Sequence, residues 1–539
     1  MLKAQDLTQD LQKTLPEEAV AAVITEIGEV IYVGDGVCKI KGLPTVKIDD
    51  VVEVITFDGK RRAMVLGISQ HEIEAVVLGD YTTIRQGDTV RSTGDLLRIQ
   101  SGTGMLGRVV DPMGNPLDGM GPIKSDIWMP VERIAPGVAK REPVSDQLET
   151  GVLVVDAIIP LGKGQRELVV GDRKSGKTSL IASFICNQKG RNMKCIYVTV
   201  GAQKAKVRAL EQYLREQGAM EYTTIVLGGS DDSPSLNYLS PYVGCAIGEY
   251  FMFKGEDAFV IYDDLSKHAK AYRQMSLLLK RSPGRDAYPG DIFYLHSRLL
   301  ERTCRVNAGA GGGSLTGFPM AETQNGDLSE YIVTNLMSIT DGHIFLDANL
   351  MHEGIFPAVN SGASVSRIGG GVQPPCLRKV GELAATQMAR YNEVKSFEAL
   401  NTEISEDTER EIKRGKRILE IFAQDQKNRL LNDEKILLLW LVTFGKMDEV
   451  DLLQVREMKR ELTEFYRAKG YPEYAEKSTK EKAIENLEPL MIQIIKDYIA
   501  STSLSDAKFL IEQPKKEEVA QPIIPDPKAE AAKPAEEKK

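Results

Sequence analysis

The sequence predicts three successive folds: a small six-stranded β-barrel, an α/β domain with a mostly parallel sheet, and a C-terminal α-helical bundle. Three observations lead there. Closely spaced Val/Ile-rich runs separated by turn signals fill residues 24–95. From 96 to 380, apolar strand runs alternate with helical patterns, the rhythm of a sheet covered on both faces. From 381 to 512, strand signals vanish and helical periodicity takes over. A short arm, residues 1–23, precedes these folds, and a tail, residues 513–539, follows them.

The arm carries Leu2, Leu7, Leu11 and Leu15 at near-helical spacing, with Pro16 interrupting, and reads as a docking segment. In the barrel, Val30–Val33 gives way to the turn Gly34-Asp35-Gly36. Val51–Ile55 leads into Asp58-Gly59, a hairpin signal. Central strands are expected at Glu167–Val170, Cys195–Val200, Thr224–Leu227, Ala258–Tyr262 and Ile332–Ile339. Helices are expected at Glu409–Phe422, Val455–Ala468 and Leu487–Ile499. The tail is rich in Pro, Ala, Lys and Glu, a composition that cannot build a core. No internal repeat is visible.

Composition narrows the function classes. A net charge of −9 argues against general affinity for nucleic acid. The densest apolar run, Ile436–Val442, is far short of the roughly 20 residues a membrane span needs, and reads as a buried helix. No secretory signal is visible, so a soluble chain facing the cytosol is expected, touching a membrane only through a partner. Cys38, Cys186, Cys195, Cys245, Cys304 and Cys376 are scattered without metal spacing and suit a reduced core.

The chemistry concentrates at Gly171-Asp172-Arg173-Lys174-Ser175-Gly176-Lys177-Thr178, which fits G-x-x-x-x-G-K-S/T. An apolar strand, Leu168–Val170, precedes it, and a helix-compatible run, Ser179–Ile185, follows. This is the strand–loop–helix setting of a phosphate-binding P-loop, and it makes the central domain a P-loop NTPase fold of the RecA-like kind. Curled backbone N–H groups and a helix N-terminus converge on one anion. Lys177 would reach the β- and γ-phosphates, and the Thr178 hydroxyl would ligate Mg²⁺. A second acid is needed at a neighbouring strand end. Ala258–Tyr262 supplies Asp263, followed by Asp264. Hydrolysis further needs a group that orients water, commonly Glu or Gln. The natural place, Tyr197–Lys204, holds no carboxylate. The site reads as one that binds nucleotide but lacks its catalytic base.

The order barrel, P-loop domain, helical bundle resembles the hexamer-forming subunits of rotary ATPases. Particular strings resemble the alpha subunits of F-type ATP synthases: GDRKSGKT, the stretch Ile261–Arg302, GGGSLTGFP at Gly311–Pro319, ITDGHIFLD at Ile339–Asp347, and PAVNSGASVSRIGG at Pro357–Gly370. The likeness runs from about residue 20 to 510. It implies a noncatalytic, regulatory subunit of a proton-translocating ATP synthase that binds ATP or ADP with Mg²⁺. It further implies alternation with catalytic beta subunits in a hexamer, a central-stalk gamma subunit, and a peripheral-stalk delta contact through the N-terminal arm. The location implied is peripheral, on the cytoplasmic face of a bacterial or equivalent energy-transducing membrane, reached only through the ion-conducting sector.

The resemblance also assigns residues. Ser364-Val365-Ser366-Arg367 matches the motif whose arginine enters the catalytic site of the adjacent beta subunit. Arg367 is then an arginine finger in trans, and Ser364 positions it. Beta subunits carry a catalytic Glu just after the glycine matching Gly201. Here Ala202 stands there, with Gln203 one step later in place of the alpha-type Gln. Gln424-Asp425-Gln426 matches the family's Gln-x-Gln near the adenine, which makes Gln424 and Gln426 base-pocket candidates beside Phe356 and Pro357. Lys174, Ser175 and Phe356 depart from the usual Gln, Thr and Arg. Two alternatives accompany this reading: an alpha-like subunit of a specialised non-synthase motor, and a self-sufficient hexameric ATPase or translocase, which the missing base opposes.

Overall fold

The structure is a computed structural model describing residues 26–125, 127–399 and 405–501. The expected N-terminal arm and the Pro/Ala/Lys/Glu tail lie outside the described residues.

Six strands, β1 (Ile27–Gly34), β2 (Val37–Lys41), β3 (Asp50–Thr56), β4 (Gly59–Ile68), β5 (Ile73–Val77) and β6 (Thr89–Leu96), close into a barrel in the order β1-β2-β5-β4-β3-β6. Closure removes the exposed edges that a short open sheet would present. Val30, Val52, Val54, Val65, Ala75 and Val90 fill the interior and are fully buried. Asp58-Gly59 turns β3 into β4 as expected, with Thr56 opposite Gly59. The Thr56 hydroxyl donates to the Asp58 carboxylate at 2.7 Å. Two short strands, β7 (Arg98–Ser101) and β9 (Ile127–Pro130), pair with each other, and between them in sequence β8 (Val109–Val110) joins the central sheet.

The central sheet has eight strands. After α1 (Leu153–Ile158) come β10 (Leu168–Asp172), α2 (Lys177–Asn187), β11 (Met193–Ala202), α3 (Lys204–Glu216), β12 (Thr223–Gly229) and α4 (Pro234–Phe253). Then follow β13 (Asp257–Asp263), α5 (Leu265–Leu278), α6 (Ile292–Leu300), β14 (Ser314–Thr323), α7 (Tyr331–Ile339), β15 (Gly342–Leu346), α8 (Ala348–His352) and β16 (Val365–Ser366). The spatial order is β16-β15-β10-β14-β13-β11-β12-β8. Every pairing is parallel except β15 with β16, so the mostly parallel sheet expected from the alternating pattern is present. One cluster of buried residues packs α2 and α3 against one face, and a second packs α4 to α7 against the other. In the second layer, the buried His268 and His296 face each other at 3.3 Å, and His268 Nε2 lies 2.9 Å from the Tyr238 carbonyl.

Four of the five expected strands are present. The fifth, Ile332–Ile339, is corrected to a helix, α7. Its β-branched residues suggested a strand, but Ile332, Val333, Leu336 and Ile339 are the buried ones, and that is one face of a 3.6-residue period. The strand comes one turn later, as β15.

The C-terminal part is helical: α9 (Pro375–Ala399), α10 (Glu406–Phe422), α11 (Asn432–Thr443), α12 (Leu452–Lys469), α13 (Pro472–Lys480) and α14 (Glu488–Ser501). Every residue of α11 is buried, which accounts for the dense Ile436–Val442 run. Among the described residues no helix is long and apolar enough to cross a membrane. All six cysteines are buried and unpaired with one another. Lys435 of α11 and Asp156 of α1 form an ion pair of 2.5 Å with both side chains fully buried. The Asp156 carboxylate also accepts from the Thr150 hydroxyl and from the backbone N–H groups of Thr150 and Gly151.

Candidate functional site

The Gly171–Thr178 loop joins the C-terminal end of β10 to the N-terminus of α2. Gly171 has no room for a side chain: a Cβ there would sit 2.6 Å from the Leu346 carbonyl oxygen of β15. Gly176 takes a left-handed φ of 94° as the cap of α2, and Lys174 one of 67° at the loop's tip. Arg173, Lys174 and Thr178 are exposed, whereas Ser175 and Lys177 are buried. The Ser175 hydroxyl oxygen has no protein partner. The Lys177 ammonium donates only to the loop's own carbonyls, Gly171 at 2.6 Å and Asp172 at 2.8 Å. Burial lowers its pKa, opposed by the carboxylates of Glu322, Asp264, Asp263 and Asp172. The Asp172 carboxylate accepts from the Thr323 hydroxyl at 2.7 Å and the Gly326 N–H at 2.8 Å, so it braces the loop after β14.

The two candidate acids divide their work. Asp264 caps α5, accepting from the Lys267 N–H at 2.8 Å, and is almost fully buried; burial raises its pKa against the pull of Lys267. Asp263 is left at the strand end, where it accepts a 2.5 Å hydrogen bond from the Tyr197 phenol. The strand carrying Asp263 is not the immediate neighbour of β10, as the sequence suggested; β14 lies between them. That order sets Glu322 in register with Gly171.

From the loop a cavity of 410 Å³ runs toward the helical bundle. Lys174, Ser175 and Gly176 line its phosphate end, and Phe356, Pro357, Gln424 and Gln426 its far end. Val152, Leu180, Leu346 and Ala358 supply apolar wall. The sequence-predicted P-loop and base-pocket residues therefore meet, although more than 240 positions separate Ser183 from the Gln426 carbonyl to which its hydroxyl points at 3.4 Å. Gln424 is committed to the backbone: its amide oxygen accepts from Leu153 N, and its amide nitrogen donates to the Gly151 and Asn428 carbonyls. Gln426 carries no such commitment among the described contacts. Gln203 is exposed at the start of α3 and does not line the cavity. The end of β11, Gly201-Ala202-Gln203, presents no carboxylate.

Arg367 lies at the other end of the sheet. It follows β16, the edge strand, and is exposed. Its N–H donates to the Asp341 carbonyl at 2.8 Å, and Asp341 N–H donates in turn to the Arg166 carbonyl at 2.8 Å. Arg367 is thus level with Arg166, five residues before Gly171, which is about 16 Å of strand. Ser364 fixes this segment: its hydroxyl donates to the Asn360 carbonyl at 2.6 Å and accepts from the Phe345 N–H of β15 at 2.9 Å. Gly342 lets β16 approach, since a Cβ there would be 2.2 Å from the Val365 carbonyl oxygen. Beneath lies Glu167, fully buried, its carboxyl pushed well above the usual range by burial and by Asp341, with Gln165 and Arg367 opposing.

Sequence reading missed Tyr197, Glu322 and the cavity residues Asp425 and Arg429. Only the strand order brings Tyr197 and Glu322 to the P-loop, and no motif marks them. Asp425 is the middle residue of the matched Gln-x-Gln and Arg429 lies three positions beyond it, so both could have been taken from that proximity.

Family models agree with the three folds. Residues 23–94 match the beta-barrel domain of the ATP synthase alpha/beta family, 151–366 its nucleotide-binding domain, and 373–498 its C-terminal domain. An ATP synthase subunit alpha from Dehalococcoides mccartyi is 45% identical over 483 residues, 89% of this chain and 95% of that protein. One from Aquifex aeolicus is 44% identical over 482 residues, 89% of this chain and 94% of that protein. With all three domains matched and the likeness sustained across nearly the whole length, this chain belongs to the ATP synthase alpha/beta family, among the F-type alpha subunits.

Proposed function

We propose that this chain binds Mg-ATP at its own P-loop without turning it over, and lends Arg367 to the catalytic site of a neighbouring beta subunit. The observation that carries the reading is the separation of the two sites. Arg367 and the P-loop sit about 16 Å apart along one pair of strands, too far for that side chain to meet a phosphate held by Lys177. An exposed arginine on an edge strand is available instead to a neighbour.

The P-loop fits its ligand. The partnerless Ser175 hydroxyl, the Lys177 ammonium bonded to the loop's own carbonyls, and the N–H groups at the start of α2, which no side chain caps, are all donors awaiting an anion. Thr178 and Asp263 would hold Mg²⁺, which when bound neutralises phosphate charge. Phe356, Pro357 and Gln426 would enclose the base, and Gln424 would brace that wall. With no carboxylate after Gly201, nothing at that strand end activates water, so the nucleotide stays intact. Arg367 adds fixed positive charge where charge spreads on the neighbour's transferring phosphoryl group.

The reading extends to assembly with beta subunits, a gamma stalk and a peripheral stalk, on the cytoplasmic face of an energy-transducing membrane. The test is steady-state Mg-ATP hydrolysis by the complex reconstituted with its beta partner, wild type against Arg367→Ala. A fall of about a thousandfold with the hexamer intact is expected. A near-normal rate would sink the proposal and favour an autonomous motor.

A further inference from the structure

Tyr197 is a buried side chain bonded to Asp263, one of the two candidate metal-holding residues. It sits on β11, on the sheet face beneath α2, and is 1% exposed. In the β11–β13 ladder Tyr197 is level with Ile261, and Thr199 with Asp263. The long phenol therefore reaches two residues along the strand, where its O–H donates to Asp263 Oδ2 at 2.5 Å. A carboxylate at a strand end turns freely about its last bonds. One short bond from a buried donor restricts that turning and leaves the second oxygen for another partner. The Lys267 ammonium is engaged by Asp264 at 3.1 Å.

We propose that Tyr197 is a positioning residue that holds Asp263 in the geometry that takes a hydrated divalent cation beside the nucleotide. The proposal rests on reading the P-loop as a Mg-nucleotide site. It gives the site a determinant outside both motifs. Tyr197→Phe is a clean probe, because an aromatic ring of the same size stays level with Ile261 in the same buried cluster.

The reconstituted complex would carry Phe356→Trp, a reporter indole lining this chain's cavity alone. ATP is titrated in Mg²⁺ and in EDTA, and Mg²⁺ is titrated at fixed ATP. Tyr197→Phe is expected to raise the Mg²⁺ concentration at half-saturation roughly 10–100-fold, with ATP affinity in EDTA unchanged. Combined with Asp263→Asn, it should add little, since both act through one carboxylate. An unchanged Mg²⁺ midpoint, or equal losses with and without Mg²⁺, overturns the proposal. A reference complex whose ATP binding ignores Mg²⁺ overturns the underlying site reading as well, and is seen before any Tyr197 variant is made.

Discussion

The strands β10 and β15 lie side by side, yet their two ends are built for opposite purposes. At the C-terminal end, Gly171 gives way to a closed loop whose carbonyls turn inward to accept from a buried lysine. At the N-terminal end, β16 turns outward and leaves Arg367 exposed, held by its backbone and by Ser364 more than by its own side chain. One end keeps its charge for this chain. The other leaves it exposed at the surface. The contrast teaches that one pair of adjacent strands can carry an inward-held cation and an outward-facing one simply by using both of its ends.

The largest effect should come from the outward end. Arg367→Ala should lower the complex's turnover about a thousandfold, while nucleotide binding at this chain's own cavity is unchanged. Arg367→Lys should rescue little, because an ammonium lacks the planar fork. Loss of nucleotide binding in either variant would erase the distinction between the ends.

Acid should remove both ends together. Burial pushes His268 down to about 4, with the Tyr238 carbonyl opposing, and holds His296 well below its ordinary value. The unfolded chain, with His near 6.5, binds more protons between those values. Stability is therefore present above pH 6.5 and is lost as pH falls toward 4, by about 3 kcal/mol for His268. Urea midpoints at pH 7 and pH 4.5, followed by near-ultraviolet circular dichroism, would check this, and His296→Leu should flatten the difference. Equal midpoints for the unaltered chain would refute it.

Lys177→Ala addresses the inward end alone. It should weaken ATP binding at this chain by roughly tenfold to a hundredfold, the range of a lost charge-assisted contact, and reduce the complex's turnover only in part. Complete loss of chemistry with intact assembly would mean that this site is catalytic. The finest cut uses two glycines. Gly171→Ala drives a methyl into the Leu346 carbonyl, and Gly342→Ala drives one into the Val365 carbonyl. Each should cost about 1–3 kcal/mol by local overpacking. The first should show in nucleotide affinity, the second in turnover. Both variants failing in the same assay would join what the comparison separates.

Much of this was legible in the sequence, and for definite reasons. Val30, Val52 and Val54 alternate because a barrel wall alternates, and Ile436–Val442 runs dense because α11 is buried all round. Gly171–Thr178 is contiguous, so its shape is local. The Ile332–Ile339 run has the β-branched composition of a strand, but the spacing of the residues that end up inside is helical. Tyr197 and Glu322 could not be read, since their place depends on β14 and β13 standing between β10 and β11. Gln424 was read as a base contact from its motif, whereas its amide is occupied by Leu153, Gly151 and Asn428, partners far away in sequence or fixed by a turn.

The buried Asp156–Lys435 pair sets a timetable for synthesis. The partners are 279 residues apart, so at ribosomal speed roughly 15–55 s pass between them. During that interval the Asp156 carboxylate has its Thr150 and Gly151 donors but no cation, and the dry environment around it cannot close. The cavity wall at Gly151 and Leu153, which Gln424 must also reach, waits for the same late segment. The nascent nucleotide domain is therefore expected to stay open to water, and to proteases, until α11 leaves the ribosome and its lysine docks.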